Sequence, residues 1–84
     1  MVTFRLTDTA HRQLKKIDPQ ARGQMLEKMR ELKKHPSIFS VLEPVHDLEP
    51  ASHRLRIGEY RLLLRMEGAT CIVYKIGHRR DVYK

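Results

Sequence analysis

Eighty-four residues leave room for one small domain, residues 1–84, which can bury about 60 to 65% of its unfolded surface and so needs a continuous core. Lysine and arginine outnumber aspartate and glutamate by 17 to 10, a formal +7, and five histidines add charge in mild acid; that balance points to a polyanionic partner, nucleic acid ahead of an acidic protein or an anionic membrane. The single Cys71 excludes an internal disulfide, reads as a buried inert thiol and fits a reducing cytoplasm, and the polar residues after Met1-Val2-Thr3-Phe4 give no expectation of a signal peptide or membrane span.

In chain order, Val2, Phe4 and Leu6 alternate with polar residues, which predicts a short first strand that pairs with a later sheet. Thr7 or Asp8 can cap the helix that follows. In it Ala10, Leu14 and Ile17 recur at the helical period, while Arg12, Lys15 and Lys16 point elsewhere. Asp18-Pro19 restarts the chain, with aspartate as N-cap and proline at the first helical position, where no amide donor is needed. From there to about His35, the residues Ala21, Met25, Leu26, Met29 and Leu32 form one apolar stripe in which the methionines act as core filler. Pro36 ends the helix, and Lys33 and Lys34 suit its negative end. Two helices so closely joined are expected to lie nearly antiparallel and to cover a sheet.

Residues 37–52 carry Pro44 and Pro50 and few periodic apolar positions, so they read as an irregular connection with a strand start near Val45 or Leu48. His46 and Asp47 are too isolated for a metal site. His53 to Arg65 then alternates apolar and basic residues on both sides of Gly58-Glu59, the pattern of a half-buried antiparallel hairpin. A two-residue type II′ turn at Gly58-Glu59 pairs Ile57 with Tyr60 and Leu55 with Leu62 on the core face. On the opposite face it sets Arg56 across from Arg61, with Arg54 diagonally behind and Arg65 further along. Like charges directly opposite destabilise a sheet by roughly 1 kcal/mol, so this face is read as a receiver of anions, and guanidinium forks grip phosphate oxygens in pairs.

Glu67-Gly68-Ala69 marks the next turn, and Thr70 to Ile76 is a strand with two possible registers. One buries Cys71, Val73 and Lys75; the other buries Ile72, Tyr74 and Ile76. Burying an unpaired Lys75 is costly, so the second is expected, with Lys75 on the arginine face and Arg79 continuing the alternation. The chain closes with Gly77-His78-Arg79-Arg80-Asp81-Val82-Tyr83-Lys84, a basic cluster beside an aromatic ring suited to stacking on an unpaired base.

With these motifs, the chain resembles the RelE-type toxins of type II toxin–antitoxin pairs, within the RelE/ParE superfamily. The resemblance rests on Leu14-Lys15-Lys16-Ile17-Asp18-Pro19, on Arg54-Leu55-Arg56-Ile57-Gly58-Glu59-Tyr60-Arg61 and on Gly77-His78-Arg79-Arg80-Asp81-Val82-Tyr83. It implies an α+β fold, an N-terminal helical hairpin packed on a small twisted, mainly antiparallel β-sheet. It also implies a cytoplasmic, metal-independent endoribonuclease without cofactors that cuts messenger RNA in the A site of the ribosomal 30S subunit, with an acidic antitoxin as partner. ParE-type members instead poison DNA gyrase, and an inactive antitoxin-binding relative is a further alternative.

The resemblance implies that the RelE-type positions bearing catalytic or substrate-binding basic residues fall on Arg54, Arg56, Arg61 and Arg79, and the terminal tyrosine position on Tyr83. Where well-known RelE members carry lysine, this chain has Arg54 and Arg56, which keep their protons and cannot readily serve as a base. The implied reaction is attack of a ribose 2′-hydroxyl on the adjacent phosphorus, leaving a 2′,3′-cyclic phosphate and a free 5′-hydroxyl. Arg61 and Arg79 are assigned to the phosphate and transition state, Tyr83 to stacking, and His78 to proton transfer, ahead of Glu59 and His53. Arg54, Arg56, Arg65, Lys75 and Arg80 are assigned to RNA binding, and Arg61→Ala is expected to abolish cleavage without unfolding the protein.

Overall fold

The computed structural model describes residues 2–83. Strand β1 (Thr3–Leu6) leads into helices α1 (Asp8–Lys16) and α2 (Pro19–Lys33), and a 3-10 turn (Ile38–Ser40) precedes the two-residue strand β2 (Glu43–Pro44). Then come β3 (His53–Ile57), β4 (Tyr60–Glu67) and β5 (Thr70–His78). The strands form one sheet in the order β1-β5-β4-β3-β2, parallel between β1 and β5 and antiparallel elsewhere. This is the expected α+β arrangement of two helices on a mainly antiparallel sheet.

Local chemistry sets the helix starts. The Thr7 hydroxyl accepts from the Ala10 amide at 3.2 Å and donates to the Tyr74 carbonyl at 3.2 Å, so one side chain caps α1 and ties it to β5. Asp18 accepts from the Ala21 amide, with Pro19 in the first turn of α2. Helix α2 stops at Lys33, two residues short of the expected end, in a tightened last turn where the amides of Lys34 and His35 bond the carbonyls of Glu31 and Leu32. Ala10, Ile17, Met25, Met29 and Leu32 face Leu55, Leu62, Leu64, Cys71, Val73 and Ile76 across the main core. Leu26 departs from the expected stripe and stays 38% exposed.

The hairpin adopts the predicted register, with Ile57 opposite Tyr60, Arg56 opposite Arg61 and Leu55 opposite Leu62. Gly58 has φ +58°, as the first position of a type II′ turn requires. The reading of β5 needs correction. Leu63 pairs with Lys75 but Leu64 pairs with Val73, so Tyr74 is an extra residue that shifts the alternation partway along the strand. Cys71 and Val73 therefore enter the main core together with Ile76, while Ile72 and Tyr74, expected inside it, do not. Lys75 still lies on the arginine face, opposite Leu63.

That second face carries a small core of its own. Ala51, Leu63 and Val82 are buried there, with Leu48 and Tyr74 packed against them. The 45–52 connection and the C-terminal turns thus fold over the sheet from two sides. The expected strand start at Val45 or Leu48 falls earlier, at Glu43–Pro44, where Glu43 sits opposite Arg54 and Pro44 opposite His53. Proline suits this outermost strand because an edge position can do without its amide donor.

Candidate nucleic-acid interface

Period-two alternation projects Arg54 and Arg56 from β3 onto the face away from the helices, because Leu55 between them is buried against α2 and the rest of the core. Two neighbouring elements meet them there. From β2 comes Glu43: its Oε2 accepts from Arg54 Nη2 at 3.0 Å, and its Oε1 lies 3.6 Å from Arg56 Nη1. From the C-terminal turns comes Tyr83, whose hydroxyl accepts from Arg54 Nη1 at 2.9 Å. Tyr83 reaches across two strands because Val82 is anchored beside it, 3.5 Å from where a Cβ on Gly77 would sit. The side chain of Arg56 is 60% exposed and Tyr83 is 40% exposed, so the cluster opens to solvent.

The electrostatics follow from these contacts. The hydrogen bond from Arg54, reinforced by the charges of both arginines, holds the Glu43 carboxyl below its ordinary range, so it is a fixed anion rather than a proton acceptor near neutrality. Glu43 first, then the Tyr83 hydroxyl, raise the Arg54 guanidinium above its usual value. Arg54 Nε is buried without a hydrogen-bond partner among the described residues.

The remaining predicted residues are not all brought here. Arg61 lies opposite Arg56 but is only 7% exposed, and its Nη1 donates to the carbonyls of Gly58 and Tyr60, both at 2.9 Å. Those carbonyls belong to the hairpin turn, so the guanidinium braces the turn. Arg79 is held at the tip of the same hairpin, with Nε 2.6 Å from Glu59 Oε2 and its amide donating to the Glu59 carbonyl at 2.8 Å. His78 is on the other side of the sheet: it pairs with Tyr60, their rings meet edge to face at 5.7 Å, and its Nδ1 accepts from the Arg80 amide. Strand alternation thus sets His78, the proton-transfer candidate, on the face opposite Arg54 and Arg56. Arg80 is exposed in the turn after β5, and Arg65, opposite Ile72, lies about 13 Å along β4 from Arg61 at the usual rise per residue. Lys75 is half-buried beside the second small core, lining a groove with Leu63, Tyr74, Val82 and Tyr83.

The residue that sequence reasoning passed over is Glu43. Its signal was present in Glu43-Pro44, an acidic residue before an edge proline, but only the β2–β3 pairing shows which arginines it meets. His53, a weaker proton-transfer candidate, is engaged by the Ser52 hydroxyl at 2.9 Å and by the edge of Phe39. Among the described residues no group of three or more His, Cys, Asp or Glu could hold a metal ion, and no helix is long and apolar enough to cross a membrane. What the cluster can do chemically is hold an oxyanion between two guanidinium groups beside an aromatic ring.

Residues 4–83 match the family model described as ParE toxin of type II toxin–antitoxin system. Toxin RelG of Mycobacterium tuberculosis is 32% identical over 85 residues, covering 98% of this chain and 95% of that protein. Among solved structures, the toxin–antitoxin complex RelBE2 of Mycobacterium tuberculosis contains a chain 30% identical with TM-score 0.78, covering 93% of this chain and 98% of its own. The RelB–RelE antitoxin–toxin complex of Methanococcus jannaschii shares the fold at TM-score 0.72 and 21% identity, with 93% of each chain covered.

Proposed function

The chain belongs to the RelE/ParE superfamily of type II toxin–antitoxin toxins, and from that premise we propose that it is a cytoplasmic, ribosome-dependent endoribonuclease that cuts messenger RNA by attack of the ribose 2′-hydroxyl. The observation that carries this reading is the exposed cluster in which Arg54 and Arg56 share one carboxylate while Arg54 also bonds Tyr83. Two guanidinium groups and a phenol ring at one spot suit a phosphodiester and the base next to it. In this reading Arg54 and Arg56 bind the scissile phosphate and stabilise charge building on its nonbridging oxygens, and Tyr83 stacks on a base. Arg61 acts from beneath by fixing the hairpin, and Arg79 extends the positive surface past the turn. The ribosome supplies the placement of the codon, so naked RNA is cut poorly, and an acidic antitoxin covers the basic face when the toxin is silent.

A second reading, gyrase poisoning, is favoured by the match of the ParE family model to nearly the whole chain. Primer extension on translated messages and plasmid supercoiling, both after induction, separate the two. The expected outcome is new 5′ ends within codons, unchanged supercoiling, and at least a tenfold loss of cleavage in Arg56→Ala, whose exposed side chain leaves the fold untouched. Loss of supercoiling without new message ends, or full cleavage by Arg56→Ala, overturns the nuclease reading.

A further inference from the structure

Glu43 and the two arginines make a contact that is unusual in its economy: one carboxylate on a two-residue edge strand places an oxygen on each of two guanidinium groups from the neighbouring strand. Its two oxygens stand where two oxygens of a phosphate would be held by the same donors. We propose that Glu43 is an internal counter-anion, occupying the Arg54–Arg56 site in the free protein and displaced from it by an RNA phosphodiester. The proposal rests on the nucleic-acid reading of this face and adds to it the residue that sets its affinity.

Four features support displacement over a fixed structural bridge. The Glu43 side chain is 39% exposed, so it has solvent to turn into. Strand β2 is two residues long with proline at its second position, so few ladder hydrogen bonds hold it to β3. The pair with Arg56, at 3.6 Å, is a loose contact that exchanges readily for a better one. Tyr83 is bonded to the other terminal nitrogen of Arg54, Nη1, so the guanidinium stays aimed when the carboxylate leaves. Glu43 also stays ionised near neutrality, because Arg54 holds its carboxyl below the ordinary range, so it acts as a competing anion and not as a base. An RNA phosphate is favoured over a protein carboxylate because the same spot offers the Tyr83 ring for a neighbouring base.

The test measures binding rather than cleavage. Full-length protein and its Glu43→Gln variant are titrated by fluorescence anisotropy with a ten-nucleotide single-stranded RNA, 2′-O-methylated so that it cannot be cut, and separately with a polyglutamate peptide. Removing the anion that competes for the two guanidinium groups, an attraction of about 1 kcal/mol at 4 Å in water, is expected to tighten RNA binding about fivefold at low salt. In a double-mutant cycle the gain shrinks when Arg54→Ala is added, because the closer partner of the carboxylate is then gone, and an equal gain in Glu43→Ala shows that it does not come from contacts of the new amide. Unchanged or weaker RNA binding by Glu43→Gln overturns the proposal, weaker binding meaning that Glu43 preorganises the arginines. A gain for polyglutamate alone also overturns it, since the carboxylate then stands in for an acidic protein. No RNA binding by any of the proteins at low salt removes the nucleic-acid reading itself, which the first two outcomes leave intact.

Discussion

At the scale of single residues, Arg61 shows how a charge that looks available in sequence is spent in the fold. Alternation rightly places it across from Arg56, yet two backbone carbonyls of the hairpin turn claim its Nη1. Removing it leaves those acceptors without their charged donor, so Arg61→Ala is expected to cost about 2 to 3 kcal/mol in urea unfolding. A variant as stable as the parent would return Arg61 to the surface role first assigned to it. Any loss of activity in Arg61→Ala is therefore read together with its stability, and the exposed Arg56 is the cleaner probe. Arg54 and Arg56 do converge, as alternation implied, but Arg79 answers to its own carboxylate, Glu59, at the hairpin tip. Which basic residues share a face was legible from period two; which anion each one meets was not, because Glu43 and Glu59 become neighbours only through strand pairing and the turn.

At the scale of elements, the β3–β4 hairpin was readable to the residue because two independent signals agree there, the alternating pattern and a glycine where the turn needs positive φ. Strand β5 was not, since a one-residue bulge satisfies half of each register: Cys71 and Val73 from one, Ile76 from the other. The cost assigned to burying Lys75 was sound, but a phase shift met it without sacrificing the lower half of the strand. The bulge also explains a docking contact, because Tyr74, the extra residue, offers its carbonyl to the Thr7 hydroxyl while that hydroxyl caps α1. Thr7→Ala gives up both bonds and is expected to destabilise the protein by about 1 to 2 kcal/mol, measured as a lowered thermal midpoint. Thr7→Ser, which keeps the hydroxyl, is expected to recover most of it.

At the scale of the whole molecule, the sheet separates a large helix-covered core from a small one under the 45–52 connection and the C-terminal turns. That second core was invisible in sequence because its members, Leu48, Ala51, Leu63, Tyr74 and Val82, come from segments with no common period. One residue of the large core contributes to the response to alkali. Cys71 is fully buried there, and loss of solvation pushes its thiol from 9.0 up to about 12. A folded-state value above the unfolded one means that the fold holds the proton more tightly. The thiol's contribution is thus whole below about pH 9 and is lost as pH rises toward 12. Unfolding free energy measured across that range is expected to fall more steeply for the parent than for Cys71→Ala; parallel slopes would show the thiol to be solvated.

The parallel pairing of β1 with β5 joins Thr3 to Thr70 across both helices and the β3–β4 hairpin. During synthesis β1 has to wait for its sheet partner until both helices and the β3–β4 hairpin have been made, while α2 can already pack on Phe4 and Leu6. The hairpin that presents Arg54 and Arg56 can form earlier, but Tyr83 reaches Arg54 only once the final turns have cleared the exit tunnel. The basic cluster therefore acquires Tyr83 only after β5 has been made, and a nascent chain interrupted before residue 70 carries the arginines on a hairpin that lacks its β5 neighbour.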